Sequence, residues 1–390
     1  MKRPSMQNRR EALKSAGLIA TTIGVGAQPV GSHSPTEKVE LPALISAGGV
    51  VDKFTVPKSW DEHRKLAKYV LNNNSFLDKE GVYGVGLTNS SKKYGGKNGF
   101  SVEFSAEPSF DREGDIPDEI EGVPIKVEKR PTGQLGGCGG TSSGNCVNYE
   151  SDTLIHAGDY ISGATAGSHG TYDDPNGDSK DRMITAAHLW TGDDNPDNGC
   201  PAKNDVVGSD VYTHPSNDAE HCGEVVDADI ENDWAVIGKD GSGATYRTTI
   251  DDNDDYPIIS GYVSESKLQD WASKDKSDRP CLYNMGTTSS KTTGKLKYAN
   301  YGEDPNSHCV TYQSIGTAEG VYTYCDFGDG DSGGPTWHVK NGEAYLVSIT
   351  CKYYSWKAFK CGDYVGPDSS GISAYQIIWD WNDWGNRTIP

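Results

Sequence analysis

The chain has 390 residues, 56 of them acidic and 36 basic, for a formal net charge of −20. A surface this negative repels phosphate, which argues against nucleic acid as a ligand class. Beyond the amino terminus no stretch reaches the ~18 apolar residues of a membrane span, and the length fits one large domain or two ordinary ones.

The amino terminus reads as an export signal. Asn8-Arg9-Arg10-Glu11-Ala12-Leu13-Lys14 precedes a modestly apolar run from Ala16 to Ala27, and twin arginines with a lysine at that spacing resemble a Tat signal. Cleavage is expected near Ala27, after Val25-Gly26, and no cysteine follows to anchor a lipid. The mature chain is therefore expected to be extracellular, with no membrane partner once residues 1–27 are removed. Residues 28–130 differ in character: they hold no cysteine, a helix-prone patch from Trp60 to Val70, and a strand-like run from Gly122 to Val127. Residues 1–130 carry 19 basic against 17 acidic side chains, whereas residues 131–390 carry 17 against 39. A mildly basic leader before an acidic domain fits a propeptide held electrostatically until its removal; a permanent accessory domain is the alternative. So acidic a surface is tolerable where salt screens it, and with the Tat-like signal the chain looks like a secreted haloarchaeal protein.

From about residue 147 the pattern is short β-prone runs broken by Gly, Asp, Asn and Ser. They are Leu154 to Ala157, Met183 to Ala187, Val206 to Tyr212, Trp234 to Ile237, Tyr256 to Val263, Gly294 to Tyr298, Gly320 to Tyr324 and Ala344 to Thr350. That rhythm predicts an all-β domain. Ser168-His169-Gly170-Thr171 reads as a polar hairpin turn, and the Trp- and Ile-rich tail from Tyr375 to Trp384 as a terminal helix. All nine cysteines lie between Cys138 and Cys361, which in an exported chain predicts a disulfide framework with one thiol left over. No H-E-x-x-H and no paired C-x-x-C is present, and Asp251-Asp252-Asn253-Asp254-Asp255 lacks the glycine and glutamate of an EF-hand. No metal and no cofactor are expected, and the acidic cluster reads as solvated surface.

The run Gly328-Asp329-Gly330-Asp331-Ser332-Gly333-Gly334-Pro335 carries the chemistry. It satisfies G-x-S-x-G, a nucleophile elbow whose acid and base would follow the serine. Only 58 residues follow Ser332, and the sole histidine among them, His338, comes with no carboxylate in between. The base must lie upstream, where Met183-Ile184-Thr185-Ala186-Ala187-His188 delivers a histidine flanked by small residues. Asn232-Asp233-Trp234-Ala235-Val236-Ile237 supplies a carboxylate 45 residues after His188 and 99 before Ser332. Asp227 and Asp229 are rivals, but the Asp-Trp-Ala-Val-Ile pattern favours Asp233.

In this order the three motifs resemble the chymotrypsin/trypsin-like serine peptidases over roughly residues 140 to 385. The resemblance implies two six-stranded antiparallel β-barrels of chymotrypsin type with a C-terminal helix, the peptidase domain spanning residues 131–390. It implies that Ser332 attacks a peptide carbonyl, His188 takes its proton and Asp233 fixes the imidazole. The amides of Gly330 and Ser332 would form the oxyanion hole. Tyr345-Leu346-Val347-Ser348-Ile349-Thr350 resembles the strand that pairs with substrate backbone, which puts Ser348 near Asp233 and Thr350 on the pocket wall, favouring small side chains. Cys138 with Cys146, Cys200 with Cys222, and Cys325 with Cys351 or Cys361 are candidate bridges, the last because the family ties the nucleophile loop to the pocket wall. Asp331 would shape the oxyanion loop through an unidentified partner. The implied activity is a secreted endopeptidase acting on proteins or peptides; the alternative is a silent pseudo-peptidase serving as a binding module. The sequence leaves the oligomeric state open.

Overall fold

The protein is described from a computed structural model over residues 37–388, except 74–79, 111–115, 130–133, 136–153, 163, 174–178, 192–199, 214–220, 240–244, 251–256, 304–308, 311, 315–316, 326, 328–329, 355–367 and 378–386. The proposed signal (1–27), the acidic cluster at 251–255, and Cys138, Cys146 and Cys361 lie outside the described residues.

The N-terminal unit begins with the hairpin β1 (Lys38–Ser46) and β2 (Gly49–Pro57), followed by a helix at Lys58–Asn72. Trp60, His63, Ala67, Val70 and Leu71 recur at helical spacing and are buried, so one face of the helix is apolar. It shares a core with Val85, Leu87, Phe100, Val102 and Phe104 of β3 (Val82–Tyr94) and β4 (Lys97–Ala106). β5 (Glu119–Ile120), β6 (Val123–Lys129) and the short β7 (Gln134–Leu135) complete the unit.

The next unit holds β8 (Leu154–Ala157), β9 (Tyr160–Ile161), β10 (Ala164–Thr165), β11 (Ser168–Asp173), β12 (Ser179–Thr185), β13 (Asp210–Tyr212), β14 (His221–Asp229), β15 (Trp234–Gly238) and β16 (Thr245–Ile250). The final unit holds β17 (Ile259–Val263), a helix at Glu265–Ala272, β18 (Cys281–Gly286), β19 (Ser290–Glu303), β20 (Gln313–Ser314), β21 (Thr317–Ala318), β22 (Gly320–Thr323), β23 (Pro335–Lys340), β24 (Glu343–Tyr354) and β25 (Asp368–Ser373). β26 (Arg387–Thr388) returns to pair with β11.

The architecture is all-β, as expected. In the last unit β24, β23, β18, β19, β22 and β25 pair antiparallel in that order and β25 pairs back onto β24, closing a six-stranded barrel with no free edge. The middle unit is a six-stranded antiparallel sheet in the order β13-β14-β15-β12-β11-β26. The N-terminal unit does not stand apart: β1 pairs with β17, β17 runs parallel beside β24, and β3 pairs with β19, so one 14-stranded sheet runs through both units. Lys68 and Lys97 pair with Glu265 and Asp270. Lys297 and Lys340, from the other side, pair with Glu128 and Asp52. Among the described residues the ion pairs between the two units run in both directions. No helix among the described residues is long and apolar enough to cross a membrane.

Several local expectations are corrected. Ser168–Thr171 lies in strand β11, where six antiparallel pairs to β12 outweigh the turn propensity of its small residues. Within Val206–Tyr212, a helical turn ends at Val206 and Gly208 takes φ 94°, so the strand begins only at Asp210. Helical residues of the tail start at 374 and are described to 377. The bridge at Cys200 goes to Cys309, 109 residues away, with Cα atoms 5.4 Å apart, and not to Cys222. Cys222 is instead a buried thiol in no disulfide, beside Val206, Val211 and Val225 and donating to the Val211 carbonyl at 3.3 Å. Cys325 and Cys351 are also buried thiols in no disulfide, so no bridge joins them; they face different apolar clusters. Cys281 is disulfide-bonded.

Candidate active site

His188 enters at the end of β12. The strand stops at Thr185, Ala186 stays extended, and Ala187–Trp190 forms a single 3-10 turn that carries the imidazole. Ala186 and Ala187 are fully buried, so larger side chains there would displace the turn. Asp233 is the last residue of the turn between β14 and β15. Asp229 braces that turn by accepting from the Asn232 amide (3.0 Å) and side chain (3.3 Å), and burial pushes its carboxyl up. Asp233 itself has φ 56°, in the left-handed region where a non-glycine residue costs ~1–2 kcal/mol.

That conformation aims both carboxylate oxygens at one residue. His188 donates from its backbone N–H to Asp233 Oδ1 (2.8 Å) and from Nδ1 to Oδ2 (2.7 Å). A carboxylate offers only acceptors, so Nδ1 carries the proton and Nε2 is left as the basic nitrogen. Of the three rival acids Asp233 is the one on the histidine, while Asp227 pairs with Lys203 and Asp229 serves the turn.

Ser332 sits on a loop gripped from both β-units. Thr165 of the middle unit donates its amide to the Ser332 carbonyl and its hydroxyl to the Gly330 carbonyl, both at 2.8 Å. Thr287 of the barrel donates its hydroxyl to the same Gly330 carbonyl at 2.8 Å. Gly333 donates to the Thr350 carbonyl at 2.8 Å, and Thr350 donates to the Gly334 carbonyl at 2.9 Å. Gly330 and Gly333 adopt φ of 100° and 88°, a region glycine enters without steric cost. A Cβ on Gly333 would lie 2.0 Å from Thr185 Oγ1, 2.3 Å from the Thr165 carbonyl and 3.2 Å from the Ala186 amide. The serine loop thus abuts the segment leading into His188. The amides of Gly330 and Ser332 donate to no acceptor among the described residues.

The partner of Asp331 is the tip of the β18–β19 hairpin: its Oδ1 accepts from the amides of Thr288 (2.8 Å) and Ser289 (3.0 Å). Its side chain lies against Gly286, where a Cβ would come within 2.1 Å of Asp331 Cγ.

The expected pocket residues are reassigned. Cys351, not Ser348, lies against Asp233, with Sγ 3.6 Å from the Asp233 carbonyl. Thr350 faces the opposite way, its hydroxyl 2.7 Å from Asn284 Nδ2 and 3.0 Å from that of Thr336. Side chains alternate along a strand, so Ile349 and Cys351 share the face toward the site, while Ser348 and Thr350 share the other. A small-side-chain preference argued from Thr350 has no support in this geometry. Cys351 has a second role: its carbonyl accepts from Ser332 Oγ at 3.2 Å. Among the described residues that is the hydroxyl's partner, and not His188. Burial, reinforced by the Asp233 charge, pushes the Cys351 thiol well up, so it stays protonated and is no competing nucleophile.

One further feature went unread in the sequence. Lys352, next to Cys351, is fully buried and pairs with Glu303 at 2.6 Å. It also donates to the Val310 carbonyl at 3.1 Å, and the neighbouring Tyr312 amide donates to the Glu231 carbonyl in the Asp233 turn at 3.1 Å. The pair therefore braces the segment against which that turn rests. The legible signal is a lysine placed in a strand directly after the uncharged run Ala344 to Cys351. Among the described residues no group of three or more His, Cys, Asp or Glu is arranged to hold a metal ion.

No protein-family model matches the chain, and no curated protein matches it. Solved structures do. A glutamic-acid-specific serine protease is 15% identical, with 60% of this chain and 100% of that chain covered at a TM-score of 0.40. The Cellulomonas bogoriensis chymotrypsin is also 15% identical, covering 61% and 98% at a TM-score of 0.38. A Nocardiopsis protease is 17% identical, covering 59% and 97% at a TM-score of 0.37.

Proposed function

We propose that the chain is a serine endopeptidase, exported by the Tat route, that hydrolyses peptide bonds through an acyl-enzyme. The observation that carries this reading is the Asp233 carboxylate holding His188 by two hydrogen bonds, with the glycine loop of Ser332 packed against the segment leading into His188. A serine hydroxyl is a weak nucleophile until a base takes its proton. In this reading the Ser332 hydroxyl turns from the Cys351 carbonyl to His188 Nε2, attacks the substrate carbonyl, and passes its proton through His188 to the leaving amine. Asp233 stabilises the imidazolium. The unspent amides of Gly330 and Ser332 receive the oxyanion, each such donor being worth about 3 to 4 kcal/mol in the transition state. The acidic surface is proposed to suit concentrated salt, with activity kept in molar salt and lost in dilute buffer.

A second reading, a silent binding module with the same fold, is favoured by one observation: Ser332 is 0% exposed and its hydroxyl is engaged by Cys351. A fluorophosphonate probe with casein as substrate separates the two. Labelling and hydrolysis that disappear in Ser332→Ala support the peptidase; a folded, processed wild type that does neither is the binding module.

A further inference from the structure

The strands of the N-terminal unit do not sit on one side of the final unit. Along the large sheet the order is β2-β1-β17-β24-β23-β18-β19-β3-β4-β6-β5, so β1 and β2 extend it at one end and β3 to β6 at the other. The two ends share one core, in which Val56 of β2 packs with Trp60 and Ala67 of the helix and with Leu87 and Phe100 of β3 and β4. The N-terminal unit is thus a clamp closed around five strands, and it leaves only if the β1–β17 and β3–β19 ladders break together. Its departure would bare the β17 edge and the stretch of β19 from Ala299 to Glu303, and bare strand edges are a liability.

Both ladders are fitted at close quarters. A Cβ on Gly261 of β17 would lie 2.0 Å from the Ile45 carbonyl, and one on Gly86 of β3 would lie 2.7 Å from Tyr298 Cβ. Ser264 and Ser266 donate their hydroxyls to the Pro42 carbonyl at 2.6 and 2.8 Å. Arg279, 2% exposed, reaches Thr88 Oγ1 at 3.3 Å.

One end of the clamp also reaches the site. β3 pairs with β19 at Val85–Gly302 and Gly84–Glu303. Glu303 accepts from Lys352 at 2.6 Å and from the Tyr301 hydroxyl at 3.2 Å, and a Cβ on Gly84 would lie 2.5 Å from that hydroxyl. Lys352 holds the Val310 carbonyl, two residues before the Tyr312 amide that donates to Glu231 in the Asp233 turn. It also follows Cys351, whose carbonyl takes the Ser332 hydroxyl.

We propose that the N-terminal unit is a permanent part of the working enzyme and that it positions Asp233 and Ser332 through Glu303 and Lys352. The proposal rests on the peptidase reading above. An ion pair is stiff where water is excluded and weak where it is solvated, and β3 is one of the walls that keep this pair dry. Glu303 and Lys352 are positioning residues, acting through the backbones of Cys351, Val310 and Tyr312.

The test starts from the full chain and identifies, by native mass and amino-terminal sequencing, the species that a fluorophosphonate labels and that digests casein. The N-terminal unit, residues 37–129, is expected in that species, stoichiometric with the labelled serine. A labelled, casein-digesting species without it overturns the proposal and leaves the peptidase standing. If no species labels, the peptidase reading fails and the proposal with it. A second arm compares Gly84→Ala, whose methyl meets the Tyr301 hydroxyl beside Glu303, with Ala67→Gly, which loosens the same unit in its helix. On a chromogenic peptide, Gly84→Ala is expected to lower kcat on the order of 10- to 100-fold with KM held within about twofold. Ala67→Gly is expected to keep the wild-type kcat. Equal kcat in the two folded variants overturns the route through Glu303.

Discussion

Breaking the Lys352–Glu303 pair from one side should be among the most damaging single changes outside the triad. Both side chains are shut off from water, at 0% and 1% exposure and 2.6 Å apart. Lys352→Met leaves Glu303 with the Tyr301 hydroxyl at 3.2 Å as a remaining donor. An uncompensated buried charge costs about 3–5 kcal/mol, or roughly a 10²- to 10⁴-fold shift in the unfolding equilibrium at about 1.4 kcal/mol per factor of ten. Replacing both residues, Lys352→Met with Glu303→Met, removes the charges together. Apolar replacement of a buried pair recovers about 1–4 kcal/mol, set against about 1–3 kcal/mol for the Val310 carbonyl that loses its donor. The double variant should then lie within about 3 kcal/mol of wild type. Urea unfolding followed by tryptophan fluorescence gives the coupling energy directly. A single-variant cost under about 1 kcal/mol, the worth of a solvated pair, would refute the reasoning.

Asp233→Asn keeps the shape of the site but presents an amide donor to Nδ1, which favours the wrong tautomer; a fall in kcat on the order of 10⁴ is expected, read with a chromogenic peptide. His63 stacks on Tyr94 and bonds the Phe100 carbonyl at 3.1 Å, and burial first of all holds its pKa down at about 4 against an ordinary 6.5. The unfolded chain therefore binds the extra proton first, so stability is full above pH 6.5 and falls by about 3 kcal/mol as pH drops to 4. Unfolding of the N-terminal unit followed against pH should show that slope, flattened in His63→Gln. Removing the Cys200–Cys309 bridge, which closes a 109-residue separation, with serine at both positions should cost about 2–5 kcal/mol, visible in calorimetry as the same loss that reductant causes in wild type.

What the sequence disclosed follows from the range of the interactions involved. His188, Asp233 and Ser332 were legible because each sits in a short motif set by its own turn: a strand running into Ala-Ala, a carboxylate opening an apolar strand, a serine among glycines. Chain order supplied the rest. The pocket strand was legible as a strand, yet its facing was not. A one-residue change of register swaps Ser348 and Thr350 for Ile349 and Cys351, and composition says nothing about which set turns inward. The Lys352–Glu303 pair joins residues 49 apart, so the lysine that follows an uncharged β-run does not reveal its partner. Disulfide connectivity is combinatorial, so Cys309 could not be picked for Cys200. β7 is two residues, Gln134 and Leu135, with no periodicity at all; only the β24 edge it rests on makes it a strand.

Asp331 shows how these ranges combine. It takes no part in the proposed proton transfers, yet it fixes where the nucleophile stands. Its carboxylate caps the turn amides of Thr288 and Ser289, while Thr287 at the same hairpin tip holds the Gly330 carbonyl and donates its amide to Thr165 Oγ1 at 3.1 Å. Thr165 belongs to the other β-unit and also holds the Ser332 carbonyl. Two β-units thus meet on a few backbone atoms of one loop, and both hold the segment that carries Ser332. The turn holding Asp233 has the same dependence, since residue 312 of the barrel unit reaches across to Glu231. A site divided in this way exists only when the units are docked, so events that strengthen or release the docking act on the chemistry without touching its atoms.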